Sequence, residues 1–145
     1  MAKLLNERLA DSLDLYHQAK EAHWNVKGPS FIDLHELFDS VASHAVEWSD
    51  DIAERAVQLG ALAEGTTQAV AKRTSLPEYD STLTDGMGHV DKLSTAIAAF
   101  GAHVRKAIET ADKAGDRDTA DLFTVISRGA DKDLWFVEAH LQKGR

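Results

Sequence analysis

The chain has 145 residues, 43% of them hydrophobic, and a formal net charge of −8. That suffices for a single domain over 1–145 with a real core, and the absence of cysteine excludes disulfides, thiol catalysis and Cys-ligated zinc. The acidic balance disfavours a broad nucleic-acid face and suits metal cations or plain solubility; no apolar run spans a membrane, and the charged opening "MAKLLNERLADSLDLYHQ" lacks a signal core, so cytoplasmic residence is expected.

Helical periodicity dominates, and only two prolines interrupt it. The pattern predicts a first helix from Lys3 to Val26, with Leu5, Leu9, Tyr16, Ala19 and Val26 on one stripe. Gly28-Pro29 ends it, and Ser30 is placed to cap a second helix over Phe31–Ala61. A long connection follows, with a short helix at Thr66–Thr74 and a loop at "SLPEYDSTLTDG". A third long helix is expected over Asp85–Lys113. After the turn "AGDRD" a fourth runs to about Gln142, with Asp116 or Asp118 as its cap. Gly101 and Gly129 fall inside helices and predict close helix packing. Gly86 and Gly88 weaken the start of the third helix without an evident role. Four long helices with one long crossover predict an all-α, ferritin-like four-helix bundle.

The second helix carries three faces. With His35 at zero, Leu34, Phe38, Val41, Ala45, Trp48, Ile52 and Leu59 fall near about −100°, the core stripe. Glu36, Ser40, Glu47, Asp51, Arg55 and Gln58 fall at roughly +100° to +160°, a solvated face. His35, Asp39, Asp50 and Glu54 lie between, at about 0°, 40°, 60° and 100°, among Ala42, Val46, Ala53 and Val57. Ligand-type and small apolar side chains off the core stripe read as an interface. No Glu-x-x-His pair of the kind that holds metal inside a bundle is present; Asp14 and His17 give one Asp-x-x-His.

His35/Asp39 and Asp50/Glu54 are two i,i+4 pairs, centred about 22 Å apart along the helix. Metal bonds of about 2 Å cannot join them within one chain. Two copies of the helix laid antiparallel, crossing near His44–Ala45, bring one pair of each copy against the other pair of its partner. The Gly-Pro turn can fold His23 back beside His35. Two imidazoles and three carboxylates suit iron, manganese or zinc, and open positions favour catalysis over a closed structural site.

"AHWNVKGPSFIDLHELFD", followed by "DDIAERAVQLGALAEGTTQ", resembles the Dps (DNA-protection-during-starvation) family of the ferritin-like superfamily, and "DTADLFTVISRGADKDLWFVEAHL" resembles its last helix. The resemblance implies a hollow dodecamer with ferroxidase centres between two-fold-related subunits. His23, His35 and Asp39 match the family's ligands from one subunit, and Asp50 and Glu54 those from the other. Asp51 points to solvent and is excluded. Trp24 matches the tryptophan beside the centre, where it would donate an electron to a site holding one iron; packing at the helix end accounts for it equally well. The implied activity is oxidation of Fe2+ to Fe3+, preferably by hydrogen peroxide, at two irons per site, with the ferric mineral stored inside and zinc or manganese as competitors. Asp118 and Asp121 match the region lining acidic iron-entry pores.

Many DNA-binding members carry a lysine-rich tail before the first helix. Here that helix starts near Met1, and only Lys143 and Arg145 follow the last one, so weak or absent DNA binding is expected. The alternative is an architectural DNA-compacting protein with metal binding secondary. His17, His44, His89, His103 and His140 show no partner set and are expected mostly at the surface or interfaces, with His44 near the two-fold axis. Trp48 and Trp135 are expected to pack inside the bundle.

Overall fold

A computed structural model describes residues 1–142; Lys143 and Arg145, the basic residues expected beyond the last helix, lie outside the described residues. The elements are α1 (Ala2–Asn25), α2 (Phe31–Gln58), α3 (Thr67–Arg73), α4 (Gly86–Lys113) and α5 (Arg117–Glu138), followed by a 3-10 turn at Ala139–Leu141. The expected third and fourth long helices are therefore α4 and α5. The α1–α2 turn sets the ends. Val26 leaves the helix in an extended conformation, and Gly28 at φ 116° adopts a backbone that a side chain would strain. The expected Ser30 cap does not form: its side chain makes no cap hydrogen bond at α2.

Lys27 N–H donates to the Thr84 carbonyl at 2.8 Å, so α4 begins beside the α1–α2 turn. At the opposite end, Arg55 near the close of α2 reaches Asp116 and Thr119 at the start of α5, at 2.9 Å each. Hence α2 and α4 run parallel, and the chain from Leu59 to Asp85 must travel the length of the bundle. This is the long crossover of the ferritin-like topology.

The crossover is held by one polar stripe of α1. Asn6 donates to the Leu62 carbonyl and accepts from Glu64 N–H. Asp11 accepts from Ser75 N–H, Asp14 from the Thr74 hydroxyl, and Gln18 donates to the Pro77 carbonyl. Periodicity alone marks such positions as solvated.

Leu5, Leu9, Leu15, Leu34, Phe38, Ile52, Leu93, Phe100, Phe123 and Ile126 fill the core. Ala42, Ala56 and Ser49 of α2 are buried as well, because α1 and α2 form the most extensive helix pair and α1 covers that flank. Ser12 and Ser49 are satisfied there by the Ala45 carbonyl, at 2.8 Å each. Leu59, expected in the core stripe, is 43% exposed because α2 stops at Gln58.

Trp48 is buried as expected and stacks on Phe100, and a Cβ on Gly129 would come within 2.7 Å of it, so that glycine is required by close packing. Gly101 is buried, but an added Cβ would meet only Arg105 and Asp131 at ordinary distances. A Cβ on Gly86 would meet Leu34 at 2.8 Å, which accounts for that glycine. Trp135 departs from expectation: it is 62% exposed, edge-on to Phe136, beside a groove between α2 and α5.

Asp116 is the α5 cap, accepting from Thr119 N–H and hydroxyl. Asp116→Ala is expected to cost about 1 kcal/mol, read as a lower urea midpoint. Thr119 and then Arg55 hold the Asp116 carboxyl below its usual range. This stabilisation is present above the unfolded pKa of about 3.9 and is lost as pH falls through the folded value, so wild type and variant should converge in acid.

Candidate metal centre

His23 sits in the last turn of α1 and His35 in the first turns of α2, facing each other across Val26–Ser30. Their rings stack with centroids 3.7 Å apart and planes within 18°. His23 Nδ1 lies 2.6 Å from the His35 carbonyl, and His35 Nδ1 lies 2.7 Å from the His23 carbonyl. A carbonyl only accepts, so each Nδ1 carries the hydrogen. Whenever it is neutral, each ring therefore keeps its lone pair on Nε2, the orientation that carbonyl partners impose on metal-binding histidines. The two residues lock each other's tautomer through their main chains.

Asp39 follows His35 by one turn, and both imidazoles lie near enough to favour its charged form. Its main partner is Lys20, whose Nζ donates to Oδ1 at 2.6 Å and holds the Asp39 carboxyl below its ordinary range. The only mark Lys20 carries in the sequence is its place one turn before His23. Trp24 is 66% exposed, and Phe31, 42% exposed, tilts over His35 at 5.0 Å.

Asp50 and Glu54 are exposed further along α2. Among the described residues, no three His, Asp or Glu side chains assemble into a group able to hold a metal. His23 and His35 are brought together, Asp39 lies one turn further along α2, and Asp50 and Glu54 stand apart on the same helix. Val46 and Val57 on the same flank are 41% and 59% exposed, while Ala42 is buried against α1 and unavailable for an interface. Asp51 is exposed, as expected. Asp118 and Asp121 are exposed too, and Asp118 shares a shallow cleft with Asp51, Glu54, Arg55 and Gln58.

Three of the remaining histidines are better partnered than their sequence context suggested. His44 Nδ1 lies 2.9 Å from Asp133 of α5, so it faces the α5 side of α2 and not the flank of His35. Burial raises the Asp133 carboxyl, and His44 opposes that shift. His103 donates to Asp11 at 3.1 Å. His89 is 1% exposed and bonds to Tyr79.

The Ferritin-like domain family matches residues 2–145. The "DNA protection during starvation protein" of Agrobacterium fabrum is 46% identical over 140 residues, covering 97% of this chain and 86% of that protein. The chain belongs to the Dps family. A solved Dps from Microbacterium arborescens, described as in the high iron form, superposes with a TM-score of 0.91 at 34% identity, over 98% of this chain and 92% of that one. DpsA14 from Streptomyces coelicolor superposes with a TM-score of 0.94, also at 34% identity, over 99% and 84% of the two chains. This Dps chain shares their all-helical, ferritin-like fold. Among its described residues no helix is long and apolar enough to cross a membrane.

Proposed function

We propose that this Dps protein is an iron-sequestering ferroxidase of the cytoplasm. Each site joins His23, His35 and Asp39 of one chain to Asp50 and Glu54 of a two-fold-related copy, and two-fold pairs build a hollow dodecamer. The stacked histidine pair carries this reading: Nδ1 of each ring is engaged, Nε2 is left for a metal, Asp39 is held in its charged form, and no group of three ligands closes among the described residues.

Fe2+ is the substrate. Two ferrous ions in one site each give an electron to hydrogen peroxide; its O–O bond breaks, and both oxygens leave as water after taking up two protons from solvent. Delivering both electrons together avoids release of hydroxyl radical. Three carboxylates favour the more highly charged product, and ferric mineral collects in the shell. Zinc and manganese suit the same donors and compete. Asp118 and Asp121 admit the ion, and the cleft shared by Asp118 and Glu54 supports a short path from entry to site. DNA compaction is the rival reading; the net charge of −8 favours cations over phosphate, and a gel shift across salt concentrations separates the two.

His35→Ala and Glu54→Ala are each expected to slow peroxide-driven Fe2+ oxidation at least about ten-fold while the shell still elutes at full size. Unchanged rates in both would remove the ligand assignment. Lys20→Ala probes the carboxylate that an entering ion must share with an ammonium. An exposed ion pair is weak, so freeing Asp39 is expected to tighten Zn2+ binding by no more than about five-fold in calorimetry.

A further inference from the structure

We infer that the partly buried Tyr79 and the buried His89 form a redox pair that supplies an electron to the iron site when it holds one ferrous ion; the inference rests on the ferroxidase reading above. Tyr79 lies in the crossover and His89 in the first turn of α4, in the wall behind the His23–His35 turn. The phenol oxygen is 2.5 Å from His89 Nδ1, and the rings stack at 5.8 Å with planes within 16°. His89 is buried; Tyr79 holds its Nδ1, and its Nε2 has no partner of full hydrogen-bond geometry among the described residues, with only the Leu83 backbone acting on the ring. A wholly structural histidine would normally have both nitrogens satisfied. With Tyr79 O–H donating to Nδ1, the ring is a positioned base beside the phenol.

Burial keeps both groups neutral: it lowers the His89 pKa, which the Leu83 backbone offsets only in part, and raises that of Tyr79. A neutral phenol loses an electron readily only if its proton has somewhere to go, and His89 provides that place. Phe38 of α2 lies between His35 and Asp39 in sequence, and its ring is 6.4 Å from that of His89. Glu21, two residues before His23, acts electrostatically on both Tyr79 and His89. Trp24, by contrast, is exposed.

Peroxide needs two electrons and one ferrous ion provides one. In the proposed step Tyr79 gives the second. Its O–H bond breaks, the proton passes to His89 Nδ1, and a phenoxyl radical remains beside an imidazolium. The peroxide oxygens leave as two waters, with protons from solvent. The next ferrous ion to arrive returns an electron to Tyr79 as His89 returns the proton.

The chain has two tyrosines, Tyr16 and Tyr79, which makes the test selective. Assembled protein loaded with one Fe2+ per site is mixed with peroxide, freeze-quenched and read by electron paramagnetic resonance. A tyrosyl signal is expected that narrows with ring-deuterated tyrosine, persists in Tyr16→Phe and is lost in Tyr79→Phe. Oxidation at two Fe2+ per site stays unchanged in Tyr79→Phe. His89→Gln keeps the phenol and is expected to slow radical formation about a hundred-fold. A signal that survives Tyr79→Phe, or sits only on tryptophan, overturns the inference. Failure to oxidise Fe2+ at two per site would sink the ferroxidase reading instead. The pair is then judged by flash photo-oxidation of metal-free protein with a ruthenium polypyridyl and persulfate: equal tyrosyl yields in wild type and Tyr79→Phe overturn it, and loss in the variant supports it.

Discussion

Shells co-assembled from equal amounts of His35→Ala and Glu54→Ala chains are expected to regain about a quarter of the wild-type ferroxidase sites, although each variant alone has none. Random pairing makes half of the two-fold pairs mixed. In a mixed pair one site combines both lesions and is dead. The other takes His23, His35 and Asp39 from the Glu54→Ala chain, and Asp50 and Glu54 from the His35→Ala chain, and is intact. Ligands drawn from a single chain would give no recovery at any ratio. The ligand pairs lie about 22 Å apart on α2, and no metal-holding group of three forms within one chain among the described residues. The measurement is the amplitude of the first burst of Fe2+ oxidation after mixing unfolded chains and refolding them, against shells refolded separately and then combined. Recovery in both preparations, or in neither, would remove the shared site.

Helix positions were largely legible because α1, α2, α4 and α5 obey local rules. Gly28-Pro29 stops α1, Asp116 caps α5, and the apolar stripe of α2 repeats at the helical period. What escaped was set by distant chain. Ala42 looked like a flank residue, and α1 buries it. His44 and His103 looked unpartnered because their carboxylates, Asp133 and Asp11, stand 89 and 92 residues away. Small residues and paired polar ones carry little hydrophobic signal, so periodicity undercounts the core wherever helices approach closely.

The candidate site divides in the same way. Spacing on one helix puts His35 and Asp39 out of reach of Asp50 and Glu54, and among the described residues no group of three metal-ligating side chains forms. The reciprocal Nδ1 anchoring of His23 and His35 could not be read from spacing. It depends on how Gly28, at positive φ, returns the chain so that two carbonyls meet two rings. Lys20 was hidden for a different reason: its partner Asp39 is on another helix, 19 residues on, and lysines on exposed helix faces are common.

Asp11→Ala is expected to lower the unfolding free energy by about 3–5 kcal/mol, the cost of removing one partner from a buried charge pair. Asp11 is wholly buried, and five groups converge on it: Arg8 at 3.1 Å, His103 at 3.1 Å, Ser75 N–H at 2.8 Å, the Ser75 hydroxyl at 3.0 Å and, more distantly, the Thr74 hydroxyl. It therefore joins α1, α4 and the crossover at one point. Truncation would strand the Arg8 guanidinium, whose Nε already has no partner among the described residues, and leave Ser75 N–H without its acceptor. Asp11→Asn keeps an acceptor of the same shape but not the charge, and is expected to lose less, about 1–3 kcal/mol. Urea midpoints at fixed protein concentration rank the three proteins. Because the Asp11 carboxylate itself is wholly buried, the ranking should hold in high salt, whereas a surface ion pair would lose its effect. Limited proteolysis adds a local readout: cleavage near Thr74–Leu76 should accelerate in Asp11→Ala before the helices open. Equal midpoints for all three would show that the crossover is held by its apolar contacts, Leu76 and Val70, and not by this carboxylate.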